Sequence, residues 1–237
     1  MKKLRDIVPQ KHLFTFVKIK NFFTRGFCKH YYSQGGEDIL ISAIFGNKKD
    51  GFFVDVGAYH PKHYSNTQLL HEKGWSGINI DPNPDNMKSF RRGRKRDVNL
   101  QIGISKKSDT LTYYNFAHPC FNTFSKDVAD EVLKKRWVKL LEKIQVPCYP
   151  LRDILAKHVP KNKKIDLLNV DVEGFDLQVL RSNDWKKFRP HVIIIEDHSF
   201  DPNDPTKAEI YTFLKERSYN IHAYTGMSLI FVDKTNV

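Results

Sequence analysis

Residues 51–81 read GFFVDVGAYHPKHYSNTQLLHEKGWSGINID, and their pattern decides the fold. An apolar run with a β-branched centre ends around Asp55, a turn follows at Gly57, a helical segment crosses over, and a second apolar run ends at Asp81. This is a strand, turn, helix, strand unit. Parallel strands joined by a crossover place their carboxyl ends on one sheet edge. Asp55, Gly57 and Asp81 therefore converge on one crevice, where open α/β sheets bind ligands. An acid closing the second strand suits the two hydroxyls of a ribose, and a glycine removes the Cβ between backbone and ligand. The unit predicts a nucleoside-containing cofactor. A strand-end Asp also suits the plainer role of capping the next helix.

A dinucleotide fold carries three glycines, G-x-G-x-x-G, so that a pyrophosphate can sit on the following helix N-terminus. Here Ala58, Tyr59, His60, Pro61 and Lys62 follow Gly57, with no further glycine. S-adenosylmethionine has a ribose and no phosphate, and the single-glycine turn fits it better.

A chain of 237 residues with 40% hydrophobic residues can bury the core of one α/β domain. Cys28, Cys120 and Cys148 have no metal-finger spacing, and their odd number argues against a full disulfide framework, so a reducing cytoplasm is the expected compartment. No apolar run approaches the ~18–20 residues of a membrane span. The first residues lack the apolar core and cleavage site of a secretory signal, so export by that route is not expected. The net charge of +12 predicts an acidic partner: nucleic acid, anionic lipid, or a substrate with phosphate or carboxylate. The basic run Arg91, Arg92, Arg94, Lys95, Arg96 reads as a solvated helix end and loop.

Residues 1–32 form a basic, aromatic-rich extension, with Phe14, Phe16, Phe22, Phe23 and Phe27 among Lys11, Lys18, Lys20 and Arg25. Such a segment either lies on an anionic membrane surface, which would place the protein at its inner face, or packs on the domain or a second copy of the chain. The polar turn Ser33-Gln34-Gly35-Gly36 then precedes a short helix, which it caps alone or while leaning over the crevice. Residues 33–237 read as the main domain. Residues 98–104 read as a third strand that brings Gly103 and Ile104 to the adenine side. Within a substrate-side insertion at 115–150, residues 125–144 read as a charged helix. Two further apolar runs end in acids: Asp171 and Glu173 after one, Glu196, Asp197 and His198 after the next. Gly174 is expected to open a helix. So many ionisable groups at one sheet edge require a ligand, a metal or partners.

The ordered pieces SQGGEDIL, FFVDVGAYHPKHYSNT, GWSGINIDPNP, NLQIGIS, DLLNVDVEGFDLQVL and VIIIEDH resemble the FkbM-type methyltransferases across residues 33–200. The resemblance implies a class I, Rossmann-like doubly wound sheet of seven strands with the last reversed, and O-methylation, often of a sugar. It implies cofactor contacts at Gln34, Asp55, Gly57, Ala58, Asn66 and Thr67, and at Asp81, Pro82, Gly103, Ile104 and Asp171. Asp171, Glu173 and the group around Glu196 and His198 are then expected at the reacting centre. Tyr59, the His60-Pro61-Lys62-His63 run and Asp197 depart from the family pattern.

A sugar hydroxyl is about as weak an acid as water, near 15.7, and a divalent metal can bring such a group near 7. Asp171 with Glu196 or Asp197 could hold magnesium or manganese through oxygen. Without a metal, His198, His60 or Glu173 must act as general base. Amino-group methyltransferases commonly show an N-P-P-Y-like turn where this chain has N-V-D-V-E-G. RNA cytosine-5 enzymes use a cysteine near that position, and none lies beyond Cys148. The expected acceptor is a small molecule or glycan, anionic or lipid-linked if the net charge guides it. An RNA methyltransferase and a cofactor binder without transfer activity are the alternatives; no nucleic-acid module is legible.

Overall fold

All five residues of β1 (Phe52–Val56) are buried, which a strand covered on both faces requires. The computed structural model, which describes residues 30–236, shows why. Strands β1, β2 (Ser76–Ile80), β3 (Val98–Leu100), β7 (Leu167–Val170), β8 (Val192–Glu196), β9 (Tyr219–Tyr224) and β10 (Ser228–Asp233) form one sheet in the order β3-β2-β1-β7-β8-β10-β9. The pairings from β3 to β8 are parallel, and β10 runs antiparallel to both β8 and β9. The expected seven-stranded sheet with its last strand reversed is present.

Alternation along each strand feeds two layers. Phe52, Val54, Val56, Ile78, Ile80, Leu168 and Ile193 pack on one face, beneath α5 (Leu151–His158), α6 (Asp176–Arg181) and α7 (Glu209–Lys215). Phe53, Leu167, Val192, Ile194 and Ile230 pack on the other with Trp75, Ile41 of α1 (Glu37–Phe45) and Leu70 of α2 (Gln68–Glu72). Each such fully buried side chain contributes roughly 1.5–3 kcal/mol. On this second face the strand register aligns Asn99, Asn79, Asp55 and Asn169 in a row across four strands. Asn79 Nδ2 donates to Asn99 Oδ1 at 2.9 Å, and Asn169 Nδ2 to Asp55 Oδ1 at 2.8 Å. The row is a polar seam in an otherwise apolar layer.

The expected third strand divides. Val98–Leu100 pairs with β2, whereas β4 (Gly103–Ile104) leaves the main sheet and pairs with β6 (Leu140–Tyr149), which in turn pairs antiparallel with β5 (Asp109–Phe116). Gly103 permits this departure, because a Cβ there would lie 2.5 Å from Cys148 Sγ. The expected helix over residues 125–144 is also corrected. Only α4 (Lys126–Lys134) is helical, with the Ser125 side chain capping Val128 N, and residues from Leu140 onward are strand. Period two wins there. Val146 and Cys148 are buried while Lys143 and Gln145 are exposed, so one face of the strand covers a small core with Tyr113.

The crossover after β1 is mostly irregular, with a helix only at Gln68–Glu72, and α3 (Pro84–Gly93) starts where Pro82-Asn83-Pro84 places it, Asn83 Oδ1 accepting from Asp85 N and Asn86 N. Helix α6 begins at Asp176 rather than at Gly174, because Asp176 accepts from Val172 N and Gly174 N and holds the preceding turn. Among the described residues, 32–236 make up one structural unit. The basic extension, up to residue 29, lies outside the described residues. No described helix is long and apolar enough to cross a membrane.

Candidate active site

A cleft of about 530 Å³ opens at the carboxyl ends of β1, β2 and β7, a volume in the range of small-molecule sites. Its floor begins at Gly57, whose φ is +82° and whose Cβ, if present, would stand 1.7 Å from the Asp171 carbonyl oxygen. The glycine thus serves first to bring the ends of β1 and β7 together. The amides that follow are already engaged: Gly57 N and Ala58 N donate to Ile80 O at 2.9 and 3.1 Å, and Tyr59 N to Asp81 Oδ2 at 3.0 Å. None of the three is free to cradle a pyrophosphate. A ligand with a ribose and no phosphate fits this turn, and a dinucleotide does not.

Asp81 is nearly buried and lines the cleft. Its Oδ1 accepts from Asn83 N at 2.7 Å and Asn86 Nδ2 at 3.2 Å. Burial pushes its carboxyl up to about 6 against these donors. Asp55 stands further back. Thr67 Oγ1 donates to its Oδ2 and Asn169 Nδ2 to its Oδ1, both at 2.8 Å, and burial raises its pKa. Asp55 therefore anchors the cleft floor, with Thr67 behind it and Asn66 reaching the cleft through Asn169 Oδ1 at 2.9 Å. Gln34, Ala58 and Pro82 also line the cleft, whereas Gly103 and Ile104 do not. The turn at 33–36 both braces α1, with Ser33 Oγ donating to Asp38, and carries Gln34 over the cleft.

Three acids meet at the far wall. One carboxylate oxygen each of Asp171, Glu173 and Glu196 lies within 4.8 Å of the others, with Asp171 and Glu173 open to the cleft. Desolvation, then the charges of Glu196, Glu173 and Asp176, hold Asp171 well above the usual carboxylate range. Desolvation with Glu196 and Asp176 pushes Glu173 up to about 7. Glu173 also has φ of +51°, as do the cleft-lining Tyr59 at +51° and Tyr64 at +54°, a costly conformation for residues with side chains.

Two of the expected bases stand apart. His60 Nδ1 accepts from Lys62 N and His63 N and pins its own loop, and the residue does not line the cleft. His198 Nε2 lies 3.3 Å from Glu196 Oε1 but faces a second hollow. Asp197, expected as a metal ligand, is outside the acidic trio and belongs to the same hollow; Glu173 takes its place in the trio. Sequence reasoning missed Tyr64, Asn86, Tyr113, Asn122, Asn169 and Met227, all of which line the cleft. Asn169 alone had a signal, an amide inside an apolar strand run.

A reversed last strand, an acid lining the cleft at the second strand end and a turn whose amides are already engaged match the class I, S-adenosylmethionine-dependent methyltransferase expected from the motifs. Residues 55–221 match the methyltransferase FkbM domain, and the chain belongs to that family. A solved O-methyltransferase from Bacillus cereus in complex with SAH is similar at 10% identity, over 96% of this chain and 93% of that one, with a TM-score of 0.37. No curated protein matches the chain.

Proposed function

We propose that this protein methylates a hydroxyl of a sugar or glycan. The observation that carries the reading is the trio of Asp171, Glu173 and Glu196, with carboxylate oxygens within 4.8 Å of one another at the end of a cleft whose other wall suits a nucleoside; burial and neighbouring charge push Glu173 up to about 7. A base works best when its pKa lies near the working pH. S-adenosylmethionine supplies an electrophilic methyl on a sulfonium. Asp81 would accept the two ribose hydroxyls, and the Gly57 turn would pass beside the nucleoside. The acceptor hydroxyl would pass its proton to Glu173, whose hold on it the neighbouring Glu196 charge strengthens, as the oxygen bonds the methyl carbon and the carbon–sulfur bond breaks. Alignment of oxygen and methyl supplies the rest of the acceleration. The acid-lined wall disfavours a nucleic-acid backbone as acceptor. A second reading rests on the trio itself, since three oxygen donors within 4.8 Å also suit magnesium or manganese. Activity lost to a chelator and restored by either ion would establish it.

The assignment of the cofactor is tested at Asp81. Asp81→Ala removes two charge-assisted hydrogen bonds of roughly 1.5–3 kcal/mol each, so titration calorimetry should show S-adenosylmethionine binding at least about tenfold weaker. Unchanged affinity, or tighter binding of a nicotinamide dinucleotide by the unaltered protein, would sink the reading.

A further inference from the structure

Behind the acidic trio lies a second hollow of about 410 Å³, which shares Glu173 and Glu196 with the first cleft and adds Asp176, Asp197 and His198. Its charge is opposite to that of the chain, whose net charge is +12. Among the described residues, His198, which is charged only when protonated, is the one basic side chain within ion-pairing distance of Asp171, Glu173, Asp176, Glu196 or Asp197. The lysine on the rim, Lys207, is turned to Asp204 at 2.8 Å. Asp197 is the sharpest case. It is 7% exposed, its Oδ1 accepts from Ser199 N at 2.9 Å and Ser199 Oγ at 2.6 Å, and its buried Oδ2 has no hydrogen-bond partner. A carboxylate oxygen left so is costly unless something charged and hydrogen-bonding reaches it.

We infer that this hollow is the acceptor subsite, and that the acceptor carries a protonated amine beside the hydroxyl that is methylated. The inference rests on the methyltransferase reading above and narrows its substrate. A metal held by Asp171, Glu173 and Glu196 would leave Asp197 unserved, because Asp197 lies outside that trio. A neutral hydroxyl offers a hydrogen bond without offsetting charge, and an anionic acceptor adds repulsion. An ammonium offers three donors and a positive charge. Carboxylates that keep the amine protonated also keep its electron pair in an N–H bond, so nitrogen cannot attack. The neighbouring hydroxyl oxygen forms the bond to the methyl carbon, the carbon–sulfur bond breaks to leave a thioether, and the hydroxyl proton passes to Glu173.

The test titrates the full chain, saturated with S-adenosylhomocysteine, with the methyl glycosides of glucosamine, N-acetylglucosamine and glucuronic acid, read by ligand-observed NMR. The amine should bind about tenfold tighter than its acetylated form, the scale of one charge-assisted bond, and the uronic acid should bind weakest. Asp197→Asn should remove that preference while S-adenosylhomocysteine affinity stays unchanged; if the variant fails to fold, the ranking on the unaltered chain decides alone. Equal affinities, no binding of the amine, or preference for the uronic acid overturns the inference. So does manganese or magnesium that binds at the hollow and displaces the amine, since the cation would then be a metal. Absence of S-adenosylhomocysteine binding would instead refute the methyltransferase reading, and the amine preference, measured without it, is then judged separately.

Discussion

At the scale of single residues, the chemistry turns on acids whose environments differ. Asp171→Asn should leave S-adenosylmethionine affinity within a few-fold while transfer falls by about 100-fold, the size of a lost base or its immediate support. Loss of binding instead would assign Asp171 to the methionine pocket. Glu173 gives a pH signature. Its pKa is raised from 4.5 to about 7 in the fold, so transfer should rise with pH through about 7 as the base becomes free. Stability runs the other way. The folded chain holds that proton more tightly than the unfolded one, so this contribution is complete below about 4.5 and is lost as pH rises through about 7. Melting temperature across that window should slope downward, and Glu173→Gln should flatten the slope. The place of Asp81 in the cleft was legible because an acid that ends an apolar strand run falls at the carboxyl edge of the sheet, where open α/β sheets have their crevice. Arg94 was not. Within a run of basic residues it looks solvated, yet it is fully buried, with its guanidinium donating to Pro61 O at 2.7 Å and Ser65 Oγ at 3.2 Å and pairing with Asp97 at 3.6 Å. It ties down the loop that carries Tyr59 and Tyr64, and nothing in its neighbours' identity announces that.

At the scale of elements, the turn after β1 is the most constrained joint. Gly57→Ala must place a methyl 1.7 Å from the Asp171 carbonyl in a left-handed backbone, so denaturant melts should show a loss of about 3 kcal/mol or more, or no folded protein. A loss under about 1 kcal/mol would mean that β1 and β7 do not approach as described. The strand, turn and strand of residues 51–81 were readable because strand-length apolar runs and one glycine leave few alternatives. The small sheet was not readable. Residues 98–104 hold one continuous strand-like pattern, and the pairing of Gly103 and Ile104 with β6, with Gly103 close against Cys148, takes the chain out of the main sheet. In residues 125–144 charged positions satisfy both a helical and an alternating period, and pairing with β5, distant in sequence, decides between them.

At the scale of the whole molecule, the charge of +12 and the acidic site are separate facts, and the basic extension at residues 1–32 is where an anionic surface would be met. We propose that this extension holds the enzyme at anionic lipid. Sedimentation with anionic vesicles should carry the full chain down and leave a chain without residues 1–32 in solution; equal sedimentation, or dissociation of an oligomer on deletion, would favour the packing role. The polar row of Asn99, Asn79, Asp55 and Asn169 has a consequence for assembly. A parallel strand that enters one residue out of step presents its opposite face. In β1 or β7 that would drive an amide or carboxylate into the isoleucine and valine layer and set a branched hydrocarbon against the remaining amides. Both errors are costly, whereas a wholly apolar sheet would forgive the slip. The row works as a proofreading mark for strand register, and two of its members, Asp55 and Asn169, line the cleft that depends on that register.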